Sequence, residues 1–326
     1  MRGLASFSLW CDFVEREFLV GEFREMINRG EIKGATSNPA IFASAILQSK
    51  AYRSSIERLR GKKAKEIYEN LAFSDIKSAA VSLLPLWEKD RNDGYISIEI
   101  DPTLCDDAGK SIDEGRRIYE SINMPNVMIK VPATEAGYEV MSVLYKDKIN
   151  VNATLIFSTA QTKKCLEAFG GDEGDSIITK AVISVFVSRF DRFMQENSGD
   201  SAFLQGGDSG DCHAPKLGIY NAMKCYEIIE SFANPHIRTL FASTGVKGDL
   251  LPASYYVSNL LLKNSVNTAP LHTIRDFIRQ DSAFVAIPQD IDEVLARFNV
   301  EAIAQKLLES GLESFKNEFE NLLKSI

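Results

Sequence analysis

Eight short apolar runs alternate with longer amphipathic stretches, and that alternation limits the fold more than any single residue does. The runs are Ser8–Phe13, Lys33–Thr36, Tyr95–Asp101, Asn126–Val131, Ile149–Ile156, Val182–Val187, Thr239–Ala242 and, more weakly, Ser265–Thr268. Helical patterns fall between them, among them Arg53–Leu71, Asp113–Ile122 and Thr159–Phe169. A long C-terminal pattern covers Val294–Leu323, with a break expected near Gly311. Strands alternating with helices point to an α/β fold with a parallel sheet, and eight of them to a closed (β/α)8 TIM barrel. The doubly wound alternative would want a Gly-rich nucleotide turn, and neither G-x-G-x-x-G nor a Walker loop occurs. No internal repeat or low-complexity linker is visible, so residues 1–326 read as a single barrel domain with extra helices. The long C-terminal helix is expected to pack on the barrel and partly cover its mouth.

Side chains on a strand alternate between two faces. Val127, Ile129 and Val131 take one face of the fourth strand, opposite Met128 and Lys130. On the third, Ser97, Glu99 and Asp101 oppose Ile96, Ile98 and Ile100; on the fifth, Asn150, Asn152 and Thr154 oppose Val151, Ala153 and Leu155. Trp10 and Asp12 share the equivalent face of the first strand, Ser184 and Phe186 that of the sixth. A parallel sheet covered on both sides should be apolar on both faces. Here one parity carries Asp12, Glu99, Lys130, Asn152, Thr154 and Ser184. If the apolar parity faces the helices, these residues point into the lumen, mostly late in their strands, where barrel enzymes keep their sites.

Lys130 is the sharpest of them. Burial in an apolar strand disfavours an ammonium, and a neutral amine can form a Schiff base with a ketone. A lone buried Lys130–Glu99 pair is equally compatible with a structural ion pair, Phe186 alone with core packing, and Asn152 alone with a backbone partner. Six polar residues on five strands favour a site.

Composition narrows the rest. With 326 residues, 45% apolar and 25% charged, the chain is ordinary for a globular protein. A net charge of −8 argues against a general nucleic-acid binder but leaves room for a local phosphate pocket. The five cysteines (Cys11, Cys105, Cys165, Cys212, Cys225) show neither CxxC nor a disulfide framework, so reduced thiols and a cytoplasmic location are expected. The apolar run Leu4–Cys11 is followed at once by Asp12, Glu15, Arg16 and Glu17, unlike a signal peptide, and no run is long enough to span a membrane. The three histidines (His213, His236, His272) lack ligand spacing, so no metal is expected. Gly207-Asp208-Ser209-Gly210 looks like a serine-protease nucleophile motif, but a polar loop over Gly206–Pro215 is the better reading.

Longer motifs add a resemblance. Gly34-Ala35-Thr36-Ser37-Asn38-Pro39-Ala40-Ile41-Phe42, Val127 to Gly137, Asn152 to Ser158 and Ile183 to Arg189 resemble strand motifs of the transaldolases. Ala242-Ser243-Thr244-Gly245 and Val266 to Pro270 resemble the seventh and eighth, so the similarity spans nearly the whole chain. The resemblance implies a class I aldolase-type barrel with no cofactor and no metal. It implies that Lys130 attacks the C2 ketone of a ketose phosphate, and that Asp12 takes the C4 hydroxyl proton as the C3–C4 bond breaks. Glu99 and Thr154 would hold a proton-shuttling water. Asn38 and Asn152 would bind substrate hydroxyls and the enamine, with Ser184 and Phe186 lining the same pocket. Arg189, Ser243 and Lys247 would bind the phosphate. Partners are then small sugar phosphates, and the protein a monomer or homodimer.

The chain departs from the family pattern where an arginine commonly follows the seventh-strand serine: Gly245 and Val246 stand there, with Lys247 next. A solvated loop lysine is the competing reading of Lys247, and an ion pair with Asp191 that of Arg189. The rival functions are an aldolase that releases free dihydroxyacetone and a silent sugar-phosphate-binding barrel. The aldolases tend to carry glutamine and tyrosine where this chain has Glu99 and Phe186.

Overall fold

The first strand pairs with the last, Ser8 opposite Val266 and Cys11 opposite Ala269, so the sheet closes on itself and has no edge. The computed structural model describes residues 6–170, 179–197, 203, 216–248 and 250–326. Strand β1 (Ser8–Cys11) leads to α1 (Arg16–Val20) and α2 (Glu22–Asn28). β2 (Gly34–Thr36) leads to α3 (Pro39–Gln48), α4 (Arg53–Arg58) and α5 (Ala64–Lys89). β3 (Tyr95–Glu99) is followed by α6 (Ala108–Ile122), β4 (Val127–Pro132) by α7 (Glu135–Lys146), and β5 (Asn150–Ile156) by α8 (Thr159–Phe169). β6 (Ala181–Phe186) precedes α9 (Ser188–Glu196) and α10 (Leu217–Ser231); β7 (Ile237–Ala242) precedes α11 (Tyr255–Asn259). After β8 (Val266–Ala269) come α12 (Leu271–Phe277), α13 (Ile291–Leu295) and α14 (Val300–Ser325). Every neighbouring pair is parallel, in the order β1 to β8, which is the expected (β/α)8 barrel.

The alternation of faces holds. On the outward parity, a Cβ added at Gly115 of α6 would meet both Leu144 of α7 and Ile129 of β4. On the inward parity, Asn152 Nδ2 donates to Ser97 Oγ at 2.9 Å, although β3 and β5 are not neighbours; only the lumen lets them meet. Trp10 fills the middle of the lumen opposite Gly34, where a Cβ would fall 2.6 Å from the indole ring. Residue 34 is therefore glycine for space. The floor is a polar plug. Buried Arg238 donates to Asn92 O at 2.6 Å, to Ser8 Oγ at 3.0 Å, and to the Asn264 and Ser265 carbonyls at 3.0 Å each. Asp93 pairs with Arg238 at 3.5 Å and with Lys33 at 3.2 Å.

Three expectations about elements are corrected. β1 ends at Cys11, not Phe13. Asp12 N still donates to Ala269 O at 2.9 Å, so the strand's alternation carries through to the Asp12 side chain. The helix expected over Arg53–Leu71 is two, α4 and α5, because Gly61 at φ 91° turns the chain between them. The C-terminal pattern is also two helices, α13 and α14, but the break falls at 296–299 and not at Gly311. Gly311 lies inside α14, where a glycine costs about 0.5–1 kcal/mol relative to alanine. Space is tight there: a Cβ would sit 2.9 Å from Leu155 Cδ2 and 3.2 Å from Arg189 Nη1, so those side chains would have to shift. α14 packs on α3, α9, β5, α5 and the 3-10 turn Pro102–Leu104, and so crosses the mouth of the barrel. Cys212, His213 and the Gly206–Pro215 stretch lie outside the described residues. The other four cysteines are buried free thiols. No helix among the described residues is long and apolar enough to cross a membrane.

Candidate active site

The βα loops after β2, β4 and β5 are tied down by capping side chains. Asn38 Oδ1 accepts from Ile41 N at 2.9 Å with Pro39 opening α3; Thr134 Oγ1 caps α7 and Ser158 Oγ caps α8. Part of the sequence motifs thus encodes loop geometry. Asn38 Nδ2 donates to no hydrogen bond among the described residues.

Lys130 and Glu99 sit opposite each other on β4 and β3, 3.4 Å apart between Nζ and Oε2, with side chains 7% and 4% exposed. Lys130 Nζ also donates to Ser37 O at 3.2 Å, across to the β2 loop. Burial pushes the Glu99 carboxyl above the usual range, against the pull of Lys130 and Arg189. No hydrogen bond reaches the two Glu99 carboxylate oxygens or Thr154 Oγ1 from the described residues, although all three are buried.

Asp12 stands at the end of β1, where Oδ1 accepts from Thr36 Oγ1 at 2.6 Å; Thr36 Oγ1 is in turn 2.6 Å from Thr268 Oγ1 on β8. Burial raises Asp12, while Lys130, Thr36 and Arg189 pull it down. Asn152 is held at both ends, donating to Ser97 and accepting from Ser184 Oγ at 2.6 Å, so its amide is fixed in the lumen.

Arg189 opens α9 beside this cluster. Its guanidinium carbon is 5.2 Å from the Phe186 ring centroid and 5.8 Å from that of Phe315 on α14. Asp191 is not its partner: that carboxylate accepts from Gly218 N at 2.7 Å and ties α9 to α10. Ser243, at a left-handed φ of 54°, places Oγ 3.0 Å from Ser188 Oγ at the ends of β7 and β6. Lys247 lies on an exposed loop and makes no ion pair among the described residues. The structure therefore brings Asp12, Glu99, Lys130, Asn152, Thr154, Ser184 and Phe186 to one lumen end, with Arg189 and Ser243 at its rim.

A family model described as "Transaldolase/Fructose-6-phosphate aldolase" matches residues 9–326. The chain belongs to the transaldolase/fructose-6-phosphate aldolase family. It is 47% identical to a transaldolase of Helicobacter pylori (strain Shi470), over 99% of this chain and 100% of that one. It is 45% identical to a transaldolase of Campylobacter jejuni (strain 81-176), again over 99% and 100% of the two chains.

Sequence reasoning missed four features of this family member. Thr36 and Thr268 were legible, since they share the polar parity of β2 and β8, but neither was singled out. The bulge in β5 between Ala153 and Ile156, with Leu155 at φ 59°, had no turn residue to announce it. Phe315 belongs to an apolar stripe spaced every fourth residue, Ile303, Leu307, Gly311, Phe315 and Phe319, which reads as ordinary core.

Proposed function

We propose that the protein is a transaldolase: it transfers a dihydroxyacetone unit from a ketose phosphate to an aldose phosphate through a Schiff base on Lys130. The observation that carries this reading is the buried Lys130–Glu99 pair, 3.4 Å apart, in one lumen with an Asp12 held by Thr36. The Lys130 amine attacks the C2 ketone of sedoheptulose 7-phosphate or fructose 6-phosphate. Water leaves from the carbinolamine, with Glu99 and Thr154 passing protons through a bridging water; their buried oxygens, which accept no hydrogen bond from the described residues, suit that task. Asp12 then takes the C4 hydroxyl proton, the C3–C4 bond breaks, and an aldose phosphate departs. The three-carbon enamine stays on Lys130, with Asn38 and Asn152 bonding its hydroxyls and Ser184 orienting Asn152. Glyceraldehyde 3-phosphate or erythrose 4-phosphate accepts it by the reverse steps. Arg189 and Ser243 bind the phosphate, with Lys247 as a further cation for it. Phe186 offers no hydroxyl to protonate the enamine, which favours waiting for an acceptor.

The same reading makes the protein a cytoplasmic enzyme of the non-oxidative pentose phosphate pathway, acting as a monomer or homodimer on small sugar phosphates. Its test is glyceraldehyde 3-phosphate release from fructose 6-phosphate with and without erythrose 4-phosphate. Release that depends on the acceptor is expected. Release that ignores it, with free dihydroxyacetone accumulating, identifies an aldolase; no release in either case leaves a sugar-phosphate-binding barrel.

A further inference from the structure

Phe315 closes the mouth of the barrel above Lys130. The ring is 4% exposed, and its centroid stands 5.5 Å from Lys130 Nζ and 5.8 Å from Arg189 Cζ. It therefore covers the space between the reactive nitrogen and the guanidinium at the rim. Gly311, one turn before Phe315, lies against Leu155 and Arg189, where a Cβ would fall 2.9 Å from Leu155 Cδ2 and 3.2 Å from Arg189 Nη1. Phe319, one turn further, stacks edge-on against Tyr68 at 5.2 Å and anchors the same face of the helix on α5.

The two substrates of a half-reaction differ in how they meet this ring. A ketose phosphate that reaches from Lys130 to Arg189 must share the space the ring covers, and so displaces it. The three-carbon unit left on Lys130 does not reach Arg189, and the ring can lie over it. We infer that Phe315 is a specificity-determining residue, the apolar cover that keeps bulk water, and with it a proton source for C3, from the retained unit until an acceptor sugar arrives. The inference rests on the Schiff-base reading above.

The step that Phe315 suppresses is hydrolysis of the retained enamine. A proton adds to C3, giving the iminium; water then adds to C2, and one of its protons passes to nitrogen. The C2–N bond breaks as the C2 ketone forms, releasing dihydroxyacetone and the Lys130 amine. One water is consumed and nothing is oxidised or reduced. Excluding water from a reactive intermediate is a recognised use of a closed site.

The test uses the full chain with fructose 6-phosphate, with and without erythrose 4-phosphate, and measures free dihydroxyacetone formed per transfer event. Phe315→Ala is expected to raise that ratio about tenfold and to shorten the lifetime of the borohydride-reducible adduct in the absence of acceptor. Should Phe315→Ala not fold, Phe315→Leu keeps an apolar side chain there and is expected to raise the ratio about threefold. A ring that is only core packing lowers cleavage and transfer together and leaves the ratio unchanged; that result overturns the inference while the Schiff-base reading stands. If borohydride traps no adduct in the unaltered protein, both fall.

Discussion

Thr36 and Asp12 meet across the β1–β2 seam, the threonine hydroxyl donating to the carboxylate at 2.6 Å. With Thr268 behind it at 2.6 Å, Thr36 is held in one hydrogen-bonding direction. This aims the carboxylate and favours its ionised form, against the burial that disfavours it.

Thr36→Val keeps the shape and removes the donor. Asp12 then loses an interaction that lowers its pKa, so its pKa rises further. The acid limb of kcat, where the base becomes protonated, moves to higher pH, and kcat at neutral pH falls about tenfold. A pH–rate profile of the variant checks this; an unmoved acid limb would show that Thr36 does not tune the base.

Lys130→Arg replaces the amine with a guanidinium that stays protonated and cannot form a Schiff base. Loss of turnover by at least about 10³-fold is expected, with no borohydride-reducible adduct. Mass spectrometry after reduction reads the adduct directly. Substantial residual turnover by this variant would refute covalent chemistry at Lys130.

Phe186→Tyr puts a hydroxyl beside the lumen, where the Phe186 ring now lies 5.3 Å from that of Phe157 and 5.2 Å from the Arg189 guanidinium. A phenol can protonate the retained enamine, so release of free dihydroxyacetone without an acceptor should rise about tenfold or more. Quantifying dihydroxyacetone against glyceraldehyde 3-phosphate is the measurement. An unchanged product ratio would count against the role given to the missing hydroxyl.

Asp191 links site and scaffold through pH. Burial pushes its carboxyl up to about 7, with the Gly218 N–H and Tyr256 opposing. Its folded value lies above its unfolded one, so the native state binds the proton more tightly than the unfolded chain does. The stability this contributes is complete below the ordinary aspartate range and is lost as pH rises from there through about 7. Asp191→Asn mimics the protonated form and retains an acceptor for Gly218 N. The difference in urea midpoint between variant and parent should therefore grow from near zero at pH 4 to a clear gain for the variant at pH 8. Equal midpoints at both pH values would mean that Asp191 does not titrate in this window.

Much of the site was legible because strand geometry is local. A period of two put Asp12, Glu99, Lys130, Asn152, Thr154 and Ser184 on one parity before any fold was known, and the lumen is where that parity points. Asn38 is less simply read: beside any ligand role it caps α3, a use that its place before Pro39 also encodes. Arg189 had a plausible partner in Asp191 two residues away, yet on α9 that carboxylate bonds Gly218 N instead.

The sequence by itself determined the number of strands, their faces and the lysine buried among apolar neighbours, since each depends on residues only a few positions apart. Only the tertiary structure decided that Thr36 would bond Thr268, 232 positions along the chain, because barrel closure brings the first strands to the last. Only it decided that α14 would run unbroken through Gly311 and set Phe315 over Lys130. A glycine in a helix reads as a weakness from local propensity. In the fold it packs against Leu155 and Arg189, where an added Cβ would make those side chains shift.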